Sequence, residues 1–232
     1  MQRFESVPAM QAAAAALVLD LAQESVAARG RFCLALSGGR TPVGLYQLLA
    51  QAPARERMPW GQCHFFMGDE RLVPLDHEHS NYGQAWRALL SRVQVPAENL
   101  HPMPVDMREP GQAARAYAEE LARFFDGQPV FDLCLLGLGP DGHTASLFPD
   151  RLALDAIGLV AAEPEPGRAP HVARLTLTLP VINHSRVVLF CATGKEKLDL
   201  VEYLTTHPEE AAEKYPAALV RPAGRLVWFL AP

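Results

Sequence analysis

The chain reads as an α/β protein with a mostly parallel central sheet. Short apolar runs of strand length alternate with helical patterns of about 10–15 residues, and that alternation calls for crossovers between parallel strands. Glycine-rich or charged segments directly follow the apolar runs ending at Leu36, Met67 and Leu136, where an open α/β sheet places its ligands. Apolar residues make up 49% of 232 positions, enough to bury a large core.

Taken in order, Met10 to Arg29 is the first helix. Ala12 to Ala16 and Leu17 to Leu19 are apolar, and Asp20 and Glu24 continue an amphipathic pattern. This stretch resembles a secretory leader only superficially. Arg3 is its single leading side-chain cation, Glu5 stands beside it, and no convincing cleavage site follows, so a cytoplasmic protein is expected. Arg31 to Leu36 is the first strand. Thr41 and Pro42 fit an N-cap with proline at the first helical position, opening a helix over Val43 to Leu49. A connection from Ala52 to Gly61 leads to the second strand, Cys63 to Met67. Asn81 to Val93 and Gly111 to Phe125 are helices, and Phe131 to Leu136 is the third central strand. Leu159 to Ala161 and Val172 to Leu179 are shorter strands. Val187 to Cys191, Glu196 to Leu204 and Leu226 to Leu230 follow as strand, helix and strand. Pro53, Pro96, Pro164 and Pro170 mark loops. No linker or internal repeat divides the chain, so residues 1–232 are expected to form a single domain.

Composition narrows the function classes. The net charge is −5 with no long basic run, which argues against nucleic-acid binding but leaves room for a local cationic pocket. No apolar run approaches the roughly 18 residues of a membrane-spanning helix. Cys33, Cys63, Cys134 and Cys191 lie in apolar stretches at spacings that match neither a zinc site nor CxxC, so they read as buried free thiols.

Four segments can carry chemistry. In Ser37-Gly38-Gly39-Arg40-Thr41-Pro42, Gly38 and Gly39 can expose backbone N–H groups at a helix N-terminus, which suits phosphate, with Arg40 or Thr41 adding contacts. A tight strand-to-helix turn is the alternative reading; GxGxxG and the P-loop pattern are both absent. In Gly68-Asp69-Glu70-Arg71, three charges meet the ligand edge together. Arg71 can bind phosphate or carboxylate, and Asp69 can orient a sugar hydroxyl or a catalytic residue; a solvated turn explains the segment equally well. Ser80 and Asn81 resemble a helix start nearby. In Asp141-Gly142-His143, a neutral imidazole can deprotonate water, with Asp141 holding the ring or binding substrate. The apolar run before it and the glycines Gly137 and Gly139 favour catalysis over a structural loop histidine. Arg174 and Lys197 are candidates for a sugar-phosphate clamp, one a planar donor fork and the other a mobile point charge, with Lys195 a weaker candidate.

Other residues read as structural. His64 lies in a strand. His77, His79, His101, His171, His184 and His207 are dispersed, and His77 and His79 with Asp76 or Glu78 complete no metal set. Ser37 lacks the GxSxG context of a nucleophile. Trp60, Trp86, Trp228, Phe65, Phe66, Phe124 and Phe125 read as packing residues.

Together these segments resemble the 6-phosphogluconolactonases of the glucosamine-6-phosphate isomerase/6-phosphogluconolactonase family. The resemblance rests on Ser37 to Pro42, Phe66 to Pro74 with Ser80-Asn81, and Gly137 to Pro149. It continues through Arg174 to Leu179 with Ile182-Asn183, Ala192 to Lys197, and Val227 to Leu230. The blocks span nearly the whole chain in the family order. Ala231 stands where relatives often carry an acidic residue, and the chain stops soon after, a difference expected to affect the terminus more than the chemistry. The resemblance implies a Rossmann-like three-layer α/β/α architecture, shared with glucosamine-6-phosphate deaminase. It implies hydrolysis of 6-phospho-D-glucono-1,5-lactone to 6-phospho-D-gluconate in the pentose phosphate pathway. His143 would be the general base, with Asp141 and Asp69 assisting. Gly38, Gly39, Arg40, Thr41, Arg71, Arg174 and Lys197 would bind substrate phosphate. No cofactor, metal or covalent intermediate is required. The expected partner is a small phosphorylated sugar lactone, with neither nucleic acid nor membrane, and the expected assembly is a monomer or weak homodimer. The deaminase pattern places a glutamate where this chain has Phe148, which cannot accept a proton; lactone hydrolysis is therefore favoured over deamination or isomerisation. A non-catalytic sugar-phosphate sensor is the alternative of another class, disfavoured by the intact acid–histidine set and by the lack of a separate DNA-binding segment.

Overall fold

Phe32–Leu36 and Leu133–Leu136 are buried at every position, as central strands covered on both faces must be. They pair side by side in a seven-stranded sheet of the computed structural model, which describes residues 1–107 and 109–232. In chain order the elements are β1 Gln2–Arg3, α1 Val7–Arg29, β2 Phe32–Leu36, α2 Arg40–Leu49, α3 Ala54–Arg57, β3 Cys63–Met67, β4 Asp69–Arg71, α4 Asn81–Ala88 and β5 Leu100–His101. There follow α5 Pro110–Phe124, β6 Leu133–Leu136, β7 Val160–Glu163, β8 Arg174–Leu177, α6 Leu179–Asn183, β9 Val187–Thr193, α7 Lys195–Thr206, α8 Pro208–Ala212 and β10 Arg225–Ala231.

The large sheet has the order β1-β10-β9-β6-β2-β3-β5, with every pairing parallel. From β2 the chain steps outward to β3 and β5. It then returns to the other side of β2 and steps outward through β6, β9 and β10. The direction therefore reverses between β2 and β6, the place where doubly wound sheets open a crevice at their carboxyl ends. Helices flank the sheet in a three-layer α/β/α arrangement.

A second sheet, antiparallel and ordered β4-β8-β7, lies beside the crevice. Gly68 joins the two sheets: its N–H donates to Leu36 O at 2.8 Å, and its carbonyl accepts from Leu177 N at 2.8 Å. A Cβ there would lie 3.2 Å from Leu36 O, so the close approach suits glycine. Two fully buried phenols fix the strand ends nearby. Tyr46 Oη donates to Ser37 O at 2.7 Å and accepts from Ser37 N; Tyr117 Oη donates to His101 O and accepts from Met67 N. The buried apolar residues of both sheets and the surrounding helices form one continuous cluster.

The sequence places β3 at its observed bounds and most other elements within a few residues. Helix α1 starts earlier, at Val7, because Ser6 Oγ accepts from Ala9 N at 3.3 Å. Thr41 does not cap α2: Gly39, at φ 99°, precedes the helix, so Thr41 and Pro42 sit inside its first turn. Helix α4 ends at Ala88 and gives way to a short 3-10 turn over Leu90–Arg92. Segment 69–71 is strand β4, not a turn. Trp86 is 43% exposed and stacks on Tyr82, so it is not a core residue, whereas Trp60 and Trp228 are buried. All four cysteines are free, and burial pushes each thiol up to about 12; Cys191 is half-buried, the others buried. Among the described residues no helix is long and apolar enough to cross a membrane.

Candidate active site

Four loops leave the carboxyl ends of β2, β3, β6 and β9 and converge over the crevice. After β2, Ser37 is clamped through its backbone by Tyr46. A Cβ on Gly38 would fall 1.8 Å from Asn81 Oδ1, so this position admits no side chain. The Gly39 N–H donates to Gln84 Oε1 at 3.1 Å. Of the two glycine N–H groups expected to face a ligand, Gly39's is therefore already used. Gly38's has no protein acceptor among the described residues.

After β3, the three charges of β4 divide. Strand alternation turns Glu70 inward, where it is fully buried. Its Oε1 accepts from Arg71 N and Asn81 N, both at 2.7 Å, and its Oε2 from Tyr82 N at 2.7 Å and Ser80 Oγ at 3.0 Å. Glu70 thus holds the N-terminus of α4, a favourable place for a carboxylate, and does not meet the ligand edge as the sequence suggests. Asp69 and Arg71 do meet it. Asp69 Oδ2 accepts from Ser146 Oγ at 2.7 Å and Oδ1 from Asn81 Nδ2 at 3.1 Å, which fixes the carboxylate plane. Arg71 Nη1 donates to His79 O at 2.7 Å, while its buried Nε has no protein partner among the described residues.

After β6, the chain folds into a tight turn. Gly139 N donates to His143 O at 2.8 Å and Gly142 N to Gly139 O at 3.0 Å, with Gly142 at φ 73°. A Cβ on Gly139 would lie 2.0 Å from His143 Nδ1, so glycine makes room for the imidazole. His143 Nδ1 meets Asp141 Oδ1 at 2.5 Å, and Asp141 Oδ2 accepts from Arg168 Nε at 2.5 Å. Burial alone would raise the Asp141 carboxyl. The hydrogen bonds and charges of His143 and Arg168 outweigh it and hold the group well below the usual carboxylate range. Asp141 is therefore ionised near neutral pH, and a neutral imidazole facing it carries its proton on Nδ1. Nε2 is left as the free ring nitrogen, with no protein partner among the described residues. The buried Phe148 ring lies against the imidazole, centroids 4.6 Å apart.

After β9, Gly194 at φ 92° opens α7, and Lys197 sits in its first turn. Burial and then the nearby Arg40 charge lower the Lys197 pKa; burial and then the Arg71 charge lower that of Arg174.

The loops enclose two adjoining compartments. One, of about 570 Å³, is walled by Arg71, His143, Phe148, Arg168, His171 and Arg174. The other, of about 480 Å³, is walled by Gly38, Gly39, Arg40, Thr41, His143 and Lys197 among others. Asp69, Arg71 and His143 belong to both. The expected pair Arg174 and Lys197 is thus split between compartments. Arg174 is buried, and its guanidinium donates to Val172 O and Pro170 O, so it braces the loop before β8 as well as lining the cavity. Among the described residues the walls carry five fixed cations, Arg40, Arg71, Arg168, Arg174 and Lys197, against one lining carboxylate, Asp69, with Asp141 behind His143. The crevice suits an anion even though the chain is acidic overall.

Lys195 is exposed and lines neither compartment. His64 packs between His101 and Phe124, as a structural residue should. His77 and His79 contact one another, and among the described residues no three His, Cys, Asp or Glu side chains group as metal ligands. Sequence reasoning missed Arg168, Ser146 and Gln84. Ser146 had a signal, three residues beyond His143. Arg168, in a proline-rich connection, had none.

The family model described as glucosamine-6-phosphate isomerases/6-phosphogluconolactonase matches residues 5–228. A 6-phosphogluconolactonase of Synechocystis is 43% identical over 213 residues, 89% of this chain and 85% of that protein. The crystal structure of 6-phosphogluconolactonase from Thermotoga maritima superposes with a TM-score of 0.86 at 34% identity, covering 100% of this chain and 98% of that one. A monomeric glucosamine-6-phosphate deaminase shares the fold, with a TM-score of 0.83 at 19% identity over 99% of this chain and 96% of that one.

Proposed function

The chain belongs to the glucosamine-6-phosphate isomerase/6-phosphogluconolactonase family, and from that membership we infer that it hydrolyses 6-phosphogluconolactone to 6-phosphogluconate in the pentose phosphate pathway. The observation that carries this reading at the site is the Asp141–His143 pair backed by Phe148 inside a cationic crevice. An apolar ring stands where deamination would need an acid.

Asp141, ionised, holds the imidazole by Nδ1 and leaves the Nε2 lone pair to take a proton from water. The water oxygen attacks the C1 carbonyl and a tetrahedral oxyanion forms. The C1–ring oxygen bond then breaks, and the imidazolium returns the proton to the departing oxygen, which becomes a hydroxyl. Proton transfer by a positioned side chain contributes about 10²–10⁴-fold. Arg71 borders both compartments beside His143 and brings a fixed positive charge there, so it is suited to the developing oxyanion. Phosphate is held at the far end by the Gly38 N–H, Arg40, Thr41 and Lys197, which line the second compartment. Anchoring the phosphate fixes C1 relative to His143. Asp69, tied to Ser146 and Asn81, orients a sugar hydroxyl. The reading also carries a single domain over residues 1–232, a cytoplasmic location, and a monomer or weak homodimer.

The test couples freshly made 6-phosphogluconolactone to 6-phosphogluconate dehydrogenase and follows NADPH after subtracting the enzyme-free rate. A rate proportional to enzyme supports the reading. No increase with folded protein, together with turnover of glucosamine-6-phosphate, would replace it with deamination.

A further inference from the structure

We propose that Arg168 is a positioning residue for the hydrolysis, the outer member of a chain Arg168–Asp141–His143 that fixes the direction of the catalytic imidazole. The proposal rests on the reading of His143 as general base.

Asp141 is held at both oxygens: Oδ1 by His143 Nδ1 and Oδ2 by Arg168 Nε, each at 2.5 Å. A carboxylate held by one oxygen can turn about its Cβ–Cγ bond. One held by both keeps its plane, and with it the imidazole ring. Arg168 is the only partner of Oδ2 among the described residues. It arrives from the connection between β7 and β8, 27 positions away in sequence. That connection is itself braced where Arg174 donates to Pro170 O and Val172 O, so the guanidinium has a fixed base.

Magnitude separates this role from simple stabilisation. The Arg168 side chain is 41% exposed, and an ion pair that open to water contributes little to folding. Its effect on reaction geometry is larger, because a displacement of about 1 Å at a catalytic group costs on the order of 100-fold. Arg168 also offsets part of the Asp141 charge felt by His143. The other ionisable groups lining the two compartments that His143 borders are Asp69, Arg71, His171 and Arg174 in one and Arg40 and Lys197 in the other, and among the described residues Arg168 is the one cation bonded to Asp141.

The experiment compares Arg168→Ala, Arg168→Lys and His143→Ala in kcat, KM, the pH profile of kcat/KM and thermal midpoint. For Arg168→Ala, kcat falls about 10- to 100-fold while KM changes less than about threefold. Losing the cation favours the imidazolium, so the acid limb of the profile moves to higher pH. The midpoint stays near wild type, Arg168→Lys recovers part of kcat, and added ethylguanidinium partly rescues Arg168→Ala. Wild-type kcat and profile in Arg168→Ala, with His143→Ala inactive, would overturn the proposal alone. So would a rise in KM with kcat unchanged, which would make Arg168 a substrate ligand. Activity in His143→Ala would instead overturn the general-base reading beneath it.

Discussion

The Phe148 ring packs on the His143 imidazole at 4.6 Å between centroids and is itself 4% exposed. With an apolar, buried neighbour on one side and an ionised Asp141 on the other, Nε2 is the ring nitrogen without a protein partner among the described residues, and the proposed reading gives it the proton exchange with water. Replacing Phe148 by glutamate puts a carboxylate against the ring, which favours the imidazolium. For Phe148→Glu the acid limb of the lactonase pH profile moves to higher pH and kcat near neutrality falls at least about tenfold. Phe148→Leu keeps both close to wild type, and rate profiles of the two variants check this.

In the proposed reading Lys197, in the compartment of Gly38 and Arg40, binds the phosphate rather than the reacting carbon. Lys197→Ala raises KM for 6-phosphogluconolactone about tenfold, consistent with the loss of one charge-assisted hydrogen bond, and leaves kcat within about threefold. Inorganic phosphate raises the thermal midpoint of the wild type and does so less for the variant. A fall in kcat at constant KM would place Lys197 at the chemistry instead.

Glu70 receives four hydrogen bonds and no solvent. In Glu70→Gln the amide nitrogen must face two donors, leaving buried N–H or O–H groups unpaired. The cost is about 3 kcal/mol, read from urea denaturation. Activity falls with it, because Asn81 loses the support that holds it against Gly38 and Asp69. Unchanged stability would contradict the burial described for this carboxylate.

His64 gives the fold a pH dependence of known sign. Burial, then the neighbouring His101 charge, then Arg31 push its pKa down from 6.5 to about 4. Between those values the unfolded chain binds a proton that the folded chain refuses, so stability is full above about pH 6.5 and declines as pH falls toward 4. The half-buried ring reduces this to about 1–2 kcal/mol. Chemical denaturation of wild type and His64→Phe at pH 7.5 and pH 5 measures it: the variant loses less stability over that interval.

Much of this was legible in the chain. Strand β3 is legible at its bounds because its apolar run ends at a glycine, and Asp141–His143 stands out because glycines flank it where the chain leaves a strand. The inward turn of Glu70 is not legible, because a three-residue strand of the small sheet is too short for alternation to show which charge turns inward. Thr41 offered a plausible cap, but Gly39 at positive φ opened the helix first, and sequence patterns do not reveal backbone torsion. Arg168 was invisible because its role depends on where a proline-rich loop returns, and no local period encodes a contact 27 residues away.

The central claim is that His143 takes the proton from water. Its most direct test is the single-turnover rate of 6-phosphogluconolactone hydrolysis by His143→Ala, with near-native circular dichroism and retained binding of 6-phosphogluconate. The account predicts a rate at least about 10³-fold below wild type with product affinity preserved, in line with the loss of a positioned general base. A rate within tenfold of wild type would contradict it.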